Sequence, residues 1–218
     1  MARAHGARAQ AALAFESTYG TAPASGFTKV PFASCNIGAM QSLNESELLG
    51  NGRDPQAPTP DVINVDGDIT VPVDAGNFGL WLKALFGAPV TSGSDPYTHV
   101  FKTGSWSLPS LALEIGSPEV PSYAMTTGLK IDEMSIGMQR GGQLTAGLKV
   151  FGQGEALATS AQSGTLAALD LLRFGHVHGY VKREGSATAA VTGADVTYKN
   201  GLEPVSYTHL TLPTSDLV

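Results

Sequence analysis

From Val62 to Val73 the apolar residues Ile63, Val65, Ile69, Val71 and Val73 alternate with Asn64, Asp66, Asp68 and Thr70. A period of two predicts a strand with one buried face. Gly67 falls on the apolar parity, where a missing side chain predicts a bulge or a close backbone crossing. The spacing then turns helical. Asp74 offers an N-cap oxygen, Phe78, Leu82 and Leu85 lie on one stripe, and Trp81 and Phe86 stand beside it. Gly87 and Pro89 end the run. The expectation over residues 74–86 is one short amphipathic helix that lies on a β-sheet and closes its core.

The rest of the chain reads as strands and loops. Met1–Gly20, rich in Ala and Arg, predicts a short helix or an arm lying on a neighbour. Phe27–Phe32, Cys35–Met40, Tyr97–Phe101 and Leu108–Ile115 read as strands, and Glu45–Pro60 as a long loop. Met134, Ile136 and Met138 alternate on one arm of a hairpin, and Leu144, Ala146, Leu148 and Val150 on the other. Arg140-Gly141-Gly142 supplies the turn between them. Leu129 and Ile131 have the opposite parity to Met134, which predicts a bulge near Asp132-Glu133. Residues 154–164 read as a loop. Phe174–Lys182 and Thr188–Tyr198 read as a second hairpin turned at Arg183-Glu184-Gly185. The fold class expected is mainly β, a sandwich or barrel with long hairpins and one flanking helix.

Composition narrows the function. Of 218 residues, 42% are hydrophobic and only 15% charged, a surface poor in charge that suits a protein buried in an assembly. The formal charge of −6 and the lack of a basic cluster argue against binding a phosphate backbone. Cys35 is the single cysteine, which excludes an internal disulfide and a cysteine-rich zinc site. No run is apolar enough for a membrane span, so no membrane partner is expected. The apolar run Ala11–Phe15 after Arg3 and Arg8 is too short for a signal peptide and is closed by Glu16.

Candidate chemistry is sparse. His176-x-His178 would place two imidazoles on one face of a strand, half of a metal site, but the third ligand is missing nearby. Asp66-Gly67-Asp68 lacks the spacing of a calcium loop. There is no Gly-x-Ser-x-Gly elbow, phosphate loop or dinucleotide fingerprint. No pair of acids is set for acid–base work. Asn44-Glu45-Ser46 fits a glycosylation sequon, for which nothing else in the chain argues. No catalytic residue, cofactor or enzymatic activity is expected.

A series of short motifs nonetheless occurs in a telling order. Glu16-x-x-Tyr19-Gly20-Thr21 comes first, then Ser46-Glu47-Leu48-Leu49 with Gly52-Arg53-Asp54-Pro55. Gly67-Asp68-Ile69 leads into Phe78-Gly79-x-x-Leu82-Lys83-x-x-Phe86-Gly87. Tyr97-Thr98-His99-x-Phe101, Leu108-Pro109-Ser110-Leu111 and Tyr198-x-Asn200-x-Leu202 follow. Over residues 16–203 the chain resembles the tail tube (major tail) proteins of long-tailed bacteriophages and gene transfer agents. That resemblance implies a virion structural protein with no active site, a β-sandwich or barrel flanked by a helix. Its subunits would form stacked hexameric rings around a channel for DNA ejection. The implied partners are further copies of itself and other tail proteins (tape measure, terminator and distal tail), with DNA passing unbound. Assembly would take place in the bacterial host cytoplasm. The expected lumen residues lie on the polar parity of the hairpins and the central strand: Asp66, Asp68, Glu133, Gln143 and Lys149, with Gln139 and Thr145 beside them. The rival readings are a non-enzymatic β-sandwich binding or decoration module and, behind it, a hydrolase whose acids converge only in space.

The end of the chain departs from this pattern. Val205–Thr214 resembles a translated transposon adapter from sequencing-library preparation. Residues 1–204 are therefore expected to form one tail-tube-like domain lacking its C-terminal part, and residues 205–218 a non-native tail.

Overall fold

The computed structural model describes residues 5–46, 56–139, 141–176, 182–184, 186–187 and 193–203. Among the described residues the fold is mainly β with one α-helix. After a 3-10 turn at Gly6–Arg8 come β1 (Gln10–Phe15), β2 (Thr28–Val30), β3 (Ser34–Cys35), β4 (Gly38–Asn44) and β5 (Thr59–Pro72). Helix α1 (Phe78–Phe86) follows, then β6 (Val90–Ser92), β7 (Thr98–Val100), β8 (Leu111–Ser117) and β9 (Ser122–Met138). The chain continues through β10 (Thr145–Gly152), β11 (Gly154–Ala158), β12 (Lys182–Arg183), β13 (Ser186–Ala187) and β14 (Ala194–Lys199).

Strand β9 is the axis. Its first half lies between β8 and β11 in a sheet ordered β2-β1-β8-β9-β11. Its second half lies between β14 and β10 in a sheet ordered β14-β9-β10-β5, with β3 and β4 on the far side of β5. Seventeen residues can serve both sheets because two bulges re-aim the strand. Opposite β10 the register steps at Lys149/Val150, which leaves Asp132 as the extra residue, at the position the parity break predicts. Opposite β8 it steps at Leu111/Leu113, beside Gly128 at φ 69°. The result is a single sheet curled into a half-barrel, and α1 lies against β9.

One core joins both halves. Leu13, Leu111, Leu113 and Leu129 enter it from the first sheet, and Ile69, Val71, Ile131, Leu148 and Val150 from the second. Trp81, Ala84 and Leu85 close it from the helix. Gly67 behaves as its parity predicts: a Cβ there would stand 2.7 Å from the Ile37 backbone.

Several expectations need correction. Within the segment expected as a short helix or an arm lying on a neighbour, Gln10–Phe15 is instead the strand β1, with Ala11, Ala12, Leu13 and Ala14 buried. A strand covered on both faces shows no alternation, so its alanines resemble helix. The stretch 154–164 opens with β11 rather than loop, paired to residues 123–127. The helix starts at Phe78, not Asp74. Asp74 instead accepts from the backbone N–H groups of Gly76 and Asn77 in a turn ahead of the helix. The buried stripe runs through Phe78, Trp81, Ala84 and Leu85, whereas Leu82 and Phe86 are half-buried on its flank. Ile63, apolar by pattern, is exposed because the start of β5 extends beyond the core.

Leu85→Ala is expected to cost about 2–5 kcal/mol by chemical denaturation, since it empties a closed core site. Leu82→Ala should cost less than about 2 kcal/mol, because its flank position already meets solvent. Equal losses would mean that the helix face has been misassigned.

Candidate functional site

The second sheet turns its polar parity outward. Asp66 and Asp68 of β5, Lys149 of β10, Glu133 and Ser135 of β9, and Asp195, Thr197 and Lys199 of β14 share this face through the ladder registers. Lys199 lies opposite Glu133, Glu133 opposite Lys149, and Lys149 opposite Asp68, so one row of alternating charge crosses four strands. The Lys199 ammonium stands 2.9 Å from the Glu133 carboxylate. That hydrogen bond holds the Glu133 carboxyl below the usual carboxylate range, and the charges of Lys199 and Lys149 add to it. The same bond raises the Lys199 ammonium above its usual value. The neighbouring row, Thr197, Ser135, Gly147, Thr70 and Ser34, carries hydroxyls and no charge.

Of the residues expected on this wall, Asp66, Asp68, Glu133 and Lys149 are thus brought together. Gln143 stands two residues ahead of β10 in an isolated bridge to Gly175, and Gln139 and Thr145 lie toward that same end. His176 accepts the Gln139 backbone N–H on Nδ1 at 3.1 Å, which closes the β9–β10 connection. His178 lies outside the described residues, as does Arg140. Among the described residues no three His, Cys, Asp or Glu side chains gather as metal ligands.

Strands β4 and β5 continue past the core as a two-stranded arm. From Ala39 to Asn44 every residue of β4 is exposed, with Met40 72% and Leu43 62% accessible, and Ile63 is 54% accessible on β5. The arm is braced within itself. Gln41 donates its side-chain amide to the Asp61 carbonyl, and the Asp61 carboxylate accepts from the Ser42 hydroxyl and the Val62 N–H. Its base is tied to β11, where Glu155 accepts the Ala39 N–H at 2.8 Å.

The motifs at the two ends of the chain prove to be fastenings, a role that sequence reasoning missed. Glu16 accepts the N–H groups of Gly20 at 2.9 Å and of Gly128 at 2.7 Å, so the N-terminal motif seizes the first bulge of β9. Asn200 donates its side-chain amide to the carbonyls of Leu85 and Ile131. Its own N–H and that of Leu202 go to Asp132, the second bulge. Tyr198 packs against Phe86 with the rings tilted by 57° and their centroids 4.7 Å apart. Glu114, buried on β8, accepts from the N–H groups of Gln162 and Ser163 and from the Ser163 hydroxyl.

These fastenings lie within the span matched by one family model. The family model described as phage tail tube protein matches residues 6–214. The chain belongs to that family. It is therefore a structural component of a phage tail, a virion protein of the tail tube. The match runs through the first bulge, the arm, the helix and the second bulge, and into the segment that begins at Val205. No curated protein matches the chain. Among solved structures, the chain is similar to one titled "Cryo-EM structure of the anti-feeding prophage (AFP) baseplate, 6-fold symmetrised". The identity is 12% and the TM-score 0.48, over 72% of this chain and 97% of that one.

Two outcomes test this geometry. Glu16→Ala strands two backbone donors at the first bulge and should cost about 1–3 kcal/mol by chemical denaturation. The Glu133–Lys199 pair has a pH signature. Because the Glu133 pKa is lowered by folding, its contribution is complete above the unfolded pKa and fades as pH falls through the folded one. Because the Lys199 pKa is raised, its contribution is complete below the unfolded pKa and fades as pH rises through the folded one. The stability difference between wild type and Lys199→Met should therefore be greatest on a neutral plateau and shrink at both extremes. A difference independent of pH would leave the pair without a role.

Proposed function

We propose that this chain is the repeating subunit of the tail tube, that its copies close into hexameric rings, and that the rings stack around a channel through which DNA is ejected. The observation that carries this reading is the β4–β5 arm. It is braced, free of charge along β4, and exposes Met40, Leu43 and Ile63 where a monomer gains nothing from them. An edge strand of a soluble monomer is ordinarily guarded by charge or proline, and β4 has neither. Such an arm suits contact with further copies. Low charge overall fits a subunit that spends its working life buried in an assembly.

The outward face of the second sheet is the channel wall in this reading, with Asp66, Asp68, Glu133 and Lys149 among the lining residues. Asp66, Asp68, Glu133 and Asp195 outnumber Lys149, Lys199 and Lys130 there, and Lys130 stands over the Tyr19 ring. DNA binding gains its free energy by releasing counterions when Lys and Arg neutralise phosphates. A wall whose cations are already matched by acids forgoes that gain, and so lets DNA slide. The protein then acts without catalysis or cofactor. It is assembled in the host cytoplasm and meets other tail proteins (tape measure, terminator and distal tail) along and at the ends of the tube.

Negative-stain microscopy of concentrated protein should show rings or tubes with a central hole. Titration with a short labelled duplex across a salt series should detect no binding at physiological salt. Monodisperse monomers, or tight binding that weakens steeply with salt, would overturn the passive-channel reading.

A further inference from the structure

The charge row has two unlike ends. Lys199 stands on β14, which among the described residues pairs with β9 alone, and its side chain is 64% exposed. At the opposite flank the row ends in the exposed Asp68, with the exposed Asp66 one step along the same face of β5. Beyond these acids stand Asn36 and Gly38, with the Glu155 carboxylate beside Gly38 at the base of the arm. Asn36 exchanges hydrogen bonds with Asp68, its N–H going to the Asp68 carbonyl and its side-chain oxygen accepting the Asp68 N–H. Gly38 lies opposite Asp66 and has no side chain to cover it. A lysine arriving from outside that flank would meet two carboxylates, one of them across a glycine.

We propose that this row sets the polarity of self-assembly: the Lys199 edge of one copy docks against the Asp66/Asp68 flank of a second copy. The inference rests on the self-assembly reading above and names the surfaces that carry it out. Each copy contributes cation, acid, cation, acid in that order, so the signs go on alternating from copy to copy when they join head to tail, with the uncharged Asn36 between Asp68 and the next Lys199. Unlike charges brought close at a joint between copies attract and like charges repel. Joining surfaces of opposite kind is heterologous, and such contacts close into rings when the rotation between copies permits. The competing arrangement is a two-fold pairing of β14 with β14, in which Lys199 would face Asp195 of the second copy. That arrangement stops at a dimer and leaves Asp66 and Asp68 unused.

The test uses the full chain and two variants, Lys199→Glu and the double variant Asp66→Lys/Asp68→Lys, with melting curves to establish that each is folded. Each variant alone should raise the critical concentration for ring formation by about tenfold or more, because like charges then meet at the joint. An equimolar mixture should restore rings, since the carboxylate introduced at position 199 of one variant then meets the two ammonium groups introduced on β5 of the other. A milder variant covers the case in which a charge reversal unfolds the monomer. Wild-type assembly should weaken with salt, and that salt dependence should fall in Lys199→Met, as expected for exposed charges. Variants that assemble at the wild-type concentration, or a mixture that stays unassembled, would overturn the proposal. So would dimers abolished by Asp195→Lys but indifferent to Asp66 and Asp68. Rings from wild type together with any of these results would leave the tube reading standing and remove only the charge-set polarity. A wild type that forms no assembly would remove both.

Discussion

The fold depends on one strand being able to serve both halves of a curled sheet. Strand β9 takes β8 and β11 as neighbours in its first half and β14 and β10 in its second. A straight strand of seventeen residues would carry one pleat throughout and could not turn its apolar parity toward a common core from both halves. The bulges at Gly128 and Asp132 change that, and they sit close together near the middle of the strand. Bulges leave backbone groups without ladder partners, which is costly in a buried place. The two ends of the chain supply those partners. Glu16 takes the Gly128 N–H, and residues 200 and 202 donate to Asp132. The curl of the sheet therefore rests on segments that lie far apart in the sequence.

This arrangement explains which parts of the molecule were legible in the sequence. The central strand, the helix that follows it and the Asp132 bulge were readable because each is encoded by local parity. A strand with one wet face shows it at every second residue. Strand β1 was not readable, since Ala11-Ala12-Leu13-Ala14 is covered on both faces and offers no contrast between them. Strand β11 was hidden for the reverse reason. Its Ala156, Leu157 and Ala158 favour helix by propensity, and pairing with β9 overrides that preference. On the helix, Leu82 and Trp81 both stand at helical spacing from Phe78. Only the position of the sheet decides that Trp81 is buried and Leu82 is at the flank. The polar parity that brings Asp66, Asp68, Glu133 and Lys149 to one face was legible, whereas Gln143 stands ahead of β10, in an isolated bridge to Gly175. The fastening roles of Glu16 and Asn200 could not be read at all. Their partners are set by tertiary approach, and one of them, the Leu85 carbonyl, belongs to a helix 115 positions away.

The surface follows from a conflict between folding and assembly. A subunit built to join others cannot guard its edges as a lifelong monomer does, because a guarded edge is also closed to its proper partner. Here the guarding is partial and graded. At the base of the arm, Glu155 occupies the Ala39 N–H, so that donor of β4 is already taken. Farther out β4 carries no charge and shows Met40 and Leu43 to solvent. The protected part lies next to the core, where mispairing would disturb the half-barrel, and the open part lies where contact with another copy would do no such harm. Rigidity follows the same logic. Asp61 stitches the two arm strands together through its carbonyl and its carboxylate, so the exposed apolar residues are held in place before any partner arrives. An arm ordered in advance pays less conformational entropy on association, so in the proposed assembly a surface of few charges would join a second copy without first having to fold.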